Sequence, residues 1–206
     1  MTPDISDSTY ERSLRSVKRD GLELQFVNET FKTPELCLAA INQDGCALEW
    51  VPDEMQTLEM CLAAINEDGC ALDFVPQELK TPEFCMRAVQ QNGWALVYVP
   101  VEYQVHELWL AAVQQDGCAI EVIRRKHRTP EILLAAVRSK GRSLAYFYHE
   151  HMTPEMCLAA VTQDGWTLAY VTIELKTSEL CLAAIKQDPK AIHWSPYSIL
   201  ELMSLA

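Results

Sequence analysis

The fold of this 206-residue chain is decided by one stretch, TPELCLAAINQDG, residues 33–45. Thr33 has the hydroxyl that an N-cap residue needs, and Pro34 suits the first helical position because its missing N–H would have no partner there. Glu35 adds a negative charge at the positive end of the helix dipole. The stretch therefore predicts a helix of about ten residues, too short to be stable alone in water.

The residues that follow predict the end of this helix and a second, shorter one. Gly45 predicts a left-handed stop. The apolar residues of CALEWVP, residues 46–52, have helical rather than alternating spacing, which favours a second helical segment. A leucine-rich repeat is the competing fold because Leu36 and Leu38 have its spacing, although Ile41 stands where that repeat needs asparagine.

The same pattern returns every 24 residues without an insertion. It is clearest in the threonine column of Thr33, Thr57, Thr81, Thr129, Thr153 and Thr177. Short apolar helices at a fixed period must cover one another by stacking. We predict an all-α fold, an α-solenoid of eight stacked helix-turn-short-helix repeats. The repeats start at residues 9, 33, 57, 81, 105, 129, 153 and 177.

The first and last repeats depart from the pattern, as capping repeats do. In the first, polar side chains replace apolar residues or alanine at Arg12, Ser13, Arg15 and Ser16. In the last, Pro189 takes the place of glycine. We predict one domain over residues 9–200, an N-terminal tail of residues 1–8, and a C-terminal tail of residues 201–206 that continues the cap.

Composition and charge bound the functional classes. The chain is 49% hydrophobic, has no apolar run of 18 residues, and begins without a basic and apolar leader, so we expect a cytoplasmic protein without a membrane span. Its net charge of −12 fits a soluble acidic surface, or a surface that imitates nucleic acid. Binding to duplex nucleic acid is not expected because acidic residues repel its backbone.

The eight cysteines are expected to be free, packed thiols. They fall in two columns of the repeat, one of Cys37, Cys61, Cys85, Cys157 and Cys181, the other of Cys46, Cys70 and Cys118. Equivalent residues of stacked helices lie roughly 8–10 Å apart, which exceeds the reach of a disulfide, about 7 Å. No zinc-ligand pair, nucleophile motif or phosphate-binding loop is present, so we expect no enzyme activity, cofactor or small-molecule substrate.

An aromatic column follows the second helical segment of the repeats: Phe26, Trp50, Phe74, Tyr98, Tyr146, Tyr170 and Trp194. Aromatic residues at core spacing normally bury themselves, so we predict a buried ladder. The alternative is a platform on which bases or sugars stack.

One segment reverses the acidic character of the chain. Between residues 124 and 142 seven basic residues accompany one acid, Glu131: Arg124, Arg125, Lys126, Arg128, Arg138, Lys140 and Arg142. Such asymmetry predicts binding of an acidic or phosphorylated partner element, because arginine can contact carboxylate or phosphate with two donors. The alternatives are that these residues pair with acids of adjacent repeats or are merely solvated.

The histidines are a weak candidate for a metal site. His127 and His151 share a column, and His149 is near them in the sequence. Imidazoles can bind a transition metal, but the column is otherwise apolar or aromatic.

The repeat unit T-P-E-x-C-L-A-A-(I/V)-x-Q-D-G-x-A-L-x-(aromatic)-V-P resembles domain of unknown function 4116, a helical repeat family of legionella-type intracellular bacteria and large viruses of amoebae. The resemblance covers nearly the whole chain and implies α-helical repeats. Through the bacterial members it implies delivery into a host cell as an effector. It supplies no catalytic residues.

Together these features predict a non-catalytic protein-protein interaction scaffold that holds an acidic partner through its basic segment. An acidic decoy that imitates nucleic acid is the second hypothesis, and a metal-dependent or thiol enzyme is the third. The sequence does not name the partner.

Overall fold

The computed structural model describes residues 8–205, which contain helices and no β-strand. The predicted all-α repeat fold is confirmed, and the leucine-rich alternative is wrong because both halves of the unit are helical. Contacts divide the chain into two compact units, residues 1–108 and 109–206, and the division falls within one helix. The single domain expected over residues 9–200 therefore stays a prediction.

Each repeat consists of an α-helix, a six-residue 3-10 helix and, in most repeats, a three-residue 3-10 helix. The α-helices are α1 (Ser8–Arg19), α2 (Pro34–Ile41), α3 (Leu58–Glu67), α4 (Pro82–Gln91), α5 (His106–Gln115), α6 (Pro130–Ser139), α7 (Pro154–Gln163), α8 (Ser178–Gln187) and α9 (Ile199–Leu205). In the first unit α1 to α4 pack in chain order, and in the second α6 to α9 do the same.

The long 3-10 helices contact one another in a stacked column within each unit. The long ones are Gly21–Phe26, Gly45–Trp50, Gly69–Phe74, Gly93–Tyr98, Gly117–Val122, Gly141–Tyr146, Gly165–Tyr170 and Pro189–Trp194. The short ones are Glu29–Phe31, Asp53–Met55, Gln77–Leu79, Val101–Tyr103, Arg125–His127, His149–His151 and Ile173–Leu175.

Local capping explains where the helices start. The Thr33 hydroxyl accepts a hydrogen bond from the Leu36 N–H at 3.3 Å, as predicted for an N-cap. The Asp44 carboxylate accepts from the Cys46 N–H at 2.9 Å and caps the following 3-10 helix. Residues 42–44 join the two helices, and Asp44, the last of them, has an extended backbone.

The glycine column has a different role from the one predicted. No residue of the described chain has a positive φ, so Gly45 is not a left-handed stop but the first residue of a 3-10 helix. A Cβ at Gly45 would collide with the Ala64 carbonyl oxygen of the next repeat. Gly117 stands in the same relation to Ala136 in the second unit. Glycine is needed here because two backbones approach closely.

The core lies between the α-helices and the long 3-10 helices. Its residues recur by column, and those of the second repeat are completely buried at Leu36, Cys37, Ala40, Ile41, Ala47 and Leu48. The aromatic column does not belong to it: Phe26 is 74% exposed, Tyr170 45% and Trp194 40%, while Trp50 and Tyr146 are half-buried. The predicted buried ladder is therefore wrong, because small and aliphatic side chains fill the narrow space between the layers.

The two ends of the chain were predicted as a tail and as part of a cap. The N-terminal tail predicted for residues 1–8 lies outside the described residues except for Ser8, which begins α1. The C-terminal residues continue as α9, which contacts α8 and buries Leu202.

All eight cysteines are free, as predicted. Among residues 8–205 no helix is long and apolar enough to cross a membrane.

Candidate functional site

The seven basic residues predicted as an anion site all lie in the second unit, where they play three different roles. One is a structural hydrogen-bond donor, three pair with acids, and three have no carboxylate partner within residues 8–205. The sequence could not separate them, because the roles depend on neighbours from adjacent repeats.

Arg128 ties two repeats together. Its Nε donates to the Ile123 carbonyl at 2.8 Å, its Nη1 to the Tyr146 carbonyl of the next repeat at 2.9 Å, and its Nη2 to the Glu121 carbonyl at 3.3 Å. Burial lowers the pKa of Arg128, and Arg125 adds to this effect. Each of its three nitrogens donates to a backbone carbonyl, so Arg128 has a structural role between the two repeats.

The same position has this structural role in other repeats. Lys32 donates to the Trp50 carbonyl at 2.8 Å, and Lys176 donates to the Trp194 carbonyl at 2.9 Å. The basic character of Arg128 therefore belongs to the repeat plan. A comparison of the repeats by position would have found this signal in the sequence.

Three further cations pair with acids of neighbouring repeats. Arg138 Nη2 lies 2.9 Å from Glu155 Oε1. Lys140 Nζ lies 3.3 Å from Asp116 Oδ2, and Arg142 Nε lies 2.6 Å from Asp164 Oδ2. The hydrogen bond that Lys140 donates to Asp116 raises the pKa of Lys140, and the one that Arg142 donates to Asp164 raises the pKa of Arg142. Pairing within the repeat array, the alternative raised from the sequence, describes this part of the segment.

The remaining three cations are exposed and consecutive: Arg124, Arg125 and Lys126. We call them the basic turn. Arg124 precedes the short 3-10 helix Arg125–His127, and neither Arg124 nor Lys126 has a side-chain partner within residues 8–205. The Arg125 guanidinium lies over the Tyr148 ring, 4.2 Å from its centroid. That contact leaves its N–H edges available to an anion.

Lys126, the last residue of the basic turn, interrupts a line of exposed acids. The position of Lys126 carries glutamate in five other repeats: Glu54, Glu78, Glu102, Glu150 and Glu174. All of these residues are exposed, so they do not shape the core. The change to lysine is therefore a change of surface chemistry on an unchanged backbone.

An aromatic stack holds the basic turn against α5. The imidazole of His127 lies on the indole of Trp109, with ring centroids 4.0 Å apart and planes 28° apart. Burial lowers the pKa of His127, and the charges of Lys126 and Arg124 lower it further. His127 is thus a packing residue whose pKa is lower than that of an ordinary histidine. Trp109 and Tyr148, the two residues that position the turn, were missed because only the fold brings them to it.

The three histidines do not form a metal site. The described residues contain no group of three or more His, Cys, Asp or Glu side chains that could hold a metal ion. His127 faces Trp109, whereas His151 Nε2 lies 3.6 Å from Glu150 Oε1 and its ring meets the edge of Tyr148. The shared column of His127 and His151 reflects the repeat period only.

The thiols are poor nucleophiles. Burial raises the pKa of Cys37, Cys61 and Cys157 to about 11. Burial together with the carboxylates of Asp68 and Asp44 raises the pKa of Cys46 to about 12. Since the thiolate is the reactive form, these side chains are packing groups.

Comparison with known families agrees with this repeat plan. The family model described as Domain of unknown function (DUF4116) matches residues 11–56, 57–104 and 153–200. This chain belongs to the DUF4116 family. Each match spans about two 24-residue repeats. No curated protein and no solved structure matches the chain significantly.

The DUF4116 matches leave residues 105–152 between them, which is again the length of two repeats. The same order of α-helix, long 3-10 helix and short 3-10 helix continues through this segment. The basic turn and the cations of all three pairs lie inside it. The segment keeps the family's architecture and differs in its surface residues.

Proposed function

We propose that this chain is a non-catalytic scaffold that binds an acidic or phosphorylated element of another protein through the basic turn. One observation carries the proposal. Arg124, Arg125 and Lys126 are three consecutive exposed cations without a carboxylate partner in residues 8–205, and Lys126 stands where five other repeats carry glutamate. No packing requirement of the repeat explains them.

Free cations are better ligands for an anion than paired ones. A partner carboxylate at Arg142 would have to displace Asp164, which lies 2.6 Å away. At Arg124 or Lys126 only water is displaced. Charge-assisted hydrogen bonds are the strong class of hydrogen bond, and arginine offers them in pairs to carboxylate and phosphate. The geometry therefore favours the basic turn over the rest of the predicted segment.

The contact between Arg125 and Tyr148 adds preorganisation. A guanidinium held over a ring has fewer rotamers to lose when it binds. The stack of His127 on Trp109 restrains the same turn from its other end. Two aromatic contacts thus hold a short surface element in place.

The raised pKa values of the thiols support the non-catalytic part of the proposal. Action inside a host cell as an effector is a further part of it, and rests only on the resemblance to the bacterial members of the family. The partner protein itself has to be found by experiment.

A charge-reversal pair tests the basic turn. The variant R124E/K126E changes two free cations of the turn, and K186E/K190E makes the same charge change at two other exposed cations of the second unit. The probes are a short glutamate peptide, a phosphoserine peptide and an uncharged serine peptide. Titration followed by fluorescence anisotropy measures their affinities.

We expect R124E/K126E to weaken binding of the acidic probes by about tenfold or more, since each hydrogen bond to a charged group contributes about 1.5–3 kcal/mol. K186E/K190E should change the affinity far less. Equal losses in both variants would show a diffuse field effect and remove the basic turn from the function.

An acidic decoy is the second candidate, and one observation favours it. Glu54, Glu78 and Glu102 are exposed at the same position of consecutive repeats in the first unit. Repeated carboxylates can imitate the phosphates that a DNA-binding protein recognises. The wild-type chain would then displace duplex DNA from a basic, sequence-nonspecific DNA-binding protein, and E54K/E78K/E102K would not. Failure of the wild type to displace DNA would exclude the decoy.

A further inference from the structure

A second cationic surface lies on α1, in the first unit and apart from the basic turn. Arg12, Arg15, Ser16 and Arg19 follow helical spacing and therefore share one face of the helix. They line an open recess of about 380 Å³. All three arginines are exposed and none has an ion-pair partner within residues 8–205.

Comparison with the other helices shows what this face normally does. The equivalents of Arg12 and Ser16 in α2 are Leu36 and Ala40, which are completely buried. They face the preceding repeat, since α2 packs on α1 and on the 3-10 helix Gly21–Phe26. In α1 the corresponding face is charged and open within the described residues. A packing surface of the array has become a surface that an anion can reach.

Apolar contact is available beside the arginines. An adjoining recess of about 150 Å³ is lined by Arg12, Ser13, Ser16, Glu23, Phe26 and Val27. Phe26 is 74% exposed there. Glu23, the acid on this surface, accepts a hydrogen bond from the Ser16 hydroxyl at 3.2 Å. A ligand that fits offers carboxylates to the arginines and an apolar side chain to Phe26.

We infer that the arginine face of α1 binds an acidic peptide segment of a partner protein that carries an apolar residue next to its carboxylates. The charge of the first unit selects this ligand over larger polyanions. Residues 1–108 contain 7 Lys and Arg against 19 Asp and Glu. A nucleic acid or an anionic membrane would meet that surrounding acidic surface. A short peptide can bind within the local positive field alone.

This surface extends the proposed function without depending on it. A scaffold with one anion-binding surface in each unit can hold two acidic elements of a partner, which raises the overall affinity through effective concentration when both are engaged. If the basic turn proves inactive, the arginine face of α1 still stands as an interaction surface.

The test uses the full chain and a matched pair of variants. R12Q/R15Q removes two charges from the arginine face, and K18Q/R87Q removes two exposed cations of the same unit that lie outside the recess. Both are compared in the R124E/K126E background, so that binding at the basic turn does not contribute. Circular dichroism and thermal unfolding verify that the variants are folded.

The probe is a short glutamate-rich peptide with one leucine, labelled for fluorescence anisotropy. We expect R12Q/R15Q to weaken its binding by about tenfold and K18Q/R87Q by less than about twofold. Hydrogen exchange should show protection at α1 and at the 3-10 helix Gly21–Phe26 when the peptide is present. Replacing the leucine with serine should weaken binding severalfold, because the contact with Phe26 is lost.

Two results would overturn the inference. One is equal loss of affinity in R12Q/R15Q and K18Q/R87Q, which would indicate only the general field of the unit. The other is tighter, α1-dependent binding of single-stranded DNA or of phosphatidylserine vesicles than of the peptide. Either result leaves the basic turn untouched, since it is tested by its own variants.

Discussion

The two units of this chain share one repeat plan and differ in charge. Residues 1–108 contain 7 basic and 19 acidic residues, a net charge of −12, whereas residues 109–206 contain 10 of each. The buried columns hardly change: Leu36 and Ala40 in the first unit correspond to Ile132 and Ala136 in the second, all completely buried. Surface columns therefore vary freely because the stacking does not depend on them.

The units also use their cations differently. In the first, Arg12, Arg15 and Arg19 share one helix face without ion pairs in the described residues. In the second, Arg138, Lys140 and Arg142 pair with acids of adjacent repeats, whereas the three cations of the basic turn have no carboxylate partner in residues 8–205. A high local count of basic residues therefore does not show which of the cations remain available to a ligand.

The largest expected effect tests whether the repeats inside each unit depend on the same close approach at glycine. Gly69→Ala and Gly117→Ala each place a Cβ against a backbone carbonyl, that of Ala88 or Ala136, which cannot move like a side chain. We expect each change to lower the free energy of unfolding by about 3 kcal/mol. Urea denaturation measures the loss, and hydrogen exchange assigns it to a unit.

Gly141→Ala is the control for the glycine column. Its Cβ would lie 2.9 Å from the Ala160 carbonyl oxygen, a looser approach than at the other two positions. We expect a loss of about 1 kcal/mol. A loss at Gly141 as large as at Gly117 would contradict the explanation by close approach.

A smaller effect tests the hydrogen bonds between repeats. Arg128→Met in the second unit and Lys32→Met in the first remove donors to backbone carbonyls, and methionine fits because Met152 already occupies this position and is buried. We expect each to lower the free energy of unfolding by about 1–2 kcal/mol. Lys80→Met, which removes an exposed and longer contact of 3.4 Å, should cost less than about 0.5 kcal/mol.

Thiol reactivity should differ between the units. Burial raises the pKa of both Cys46 and Cys118, but Asp68 raises that of Cys46 further, to about 12, whereas Lys140 lowers that of Cys118. At a given pH above neutrality Cys118 holds more thiolate and should react severalfold faster with iodoacetamide. Both rates should rise with pH, and Lys140→Gln should slow Cys118 alone. Peptide mass spectrometry of the labelled protein gives the rates.

The smallest expected effect concerns salt. Like charges within the first unit repel one another, and salt screens that repulsion. Raising sodium chloride from low to high concentration should therefore slow hydrogen exchange in residues 8–108, by about 1 kcal/mol or less in opening free energy. Residues 109–205 should respond less because their charges balance. An equal response would mean that the difference in net charge has no energetic consequence.

The sequence predicted the positions of the helices, but it did not predict the roles of some residues that depend on contacts between repeats. Thr33 was predicted as an N-cap and is one, because capping depends on a local hydroxyl and a neighbouring N–H. Gly45 was recognised as required, but its collision partner, Ala64, lies 19 residues further along the chain and is brought near only by stacking. The exposed Phe26 shows the same limit, since burial depends on which side of the layer a column faces.

The candidate site was predicted as a segment, and the structure divides its cations by their contacts. Charge counting selected residues 124–142, yet it could not show that Arg128 bonds to the Tyr146 carbonyl or that Arg142 meets Asp164. Trp109 and Tyr148, which position the basic turn, carried no signal in a charge analysis.

What the sequence by itself determined is the repeat: its period, its helical content and its capping residues. These follow from short-range interactions that are written in consecutive residues. Only the tertiary structure decided which backbone atoms the glycines approach, which cations lack a carboxylate partner and which aromatic rings reach the surface. Those properties depend on the distance between atoms of different repeats, and that distance exists only after the repeats have stacked.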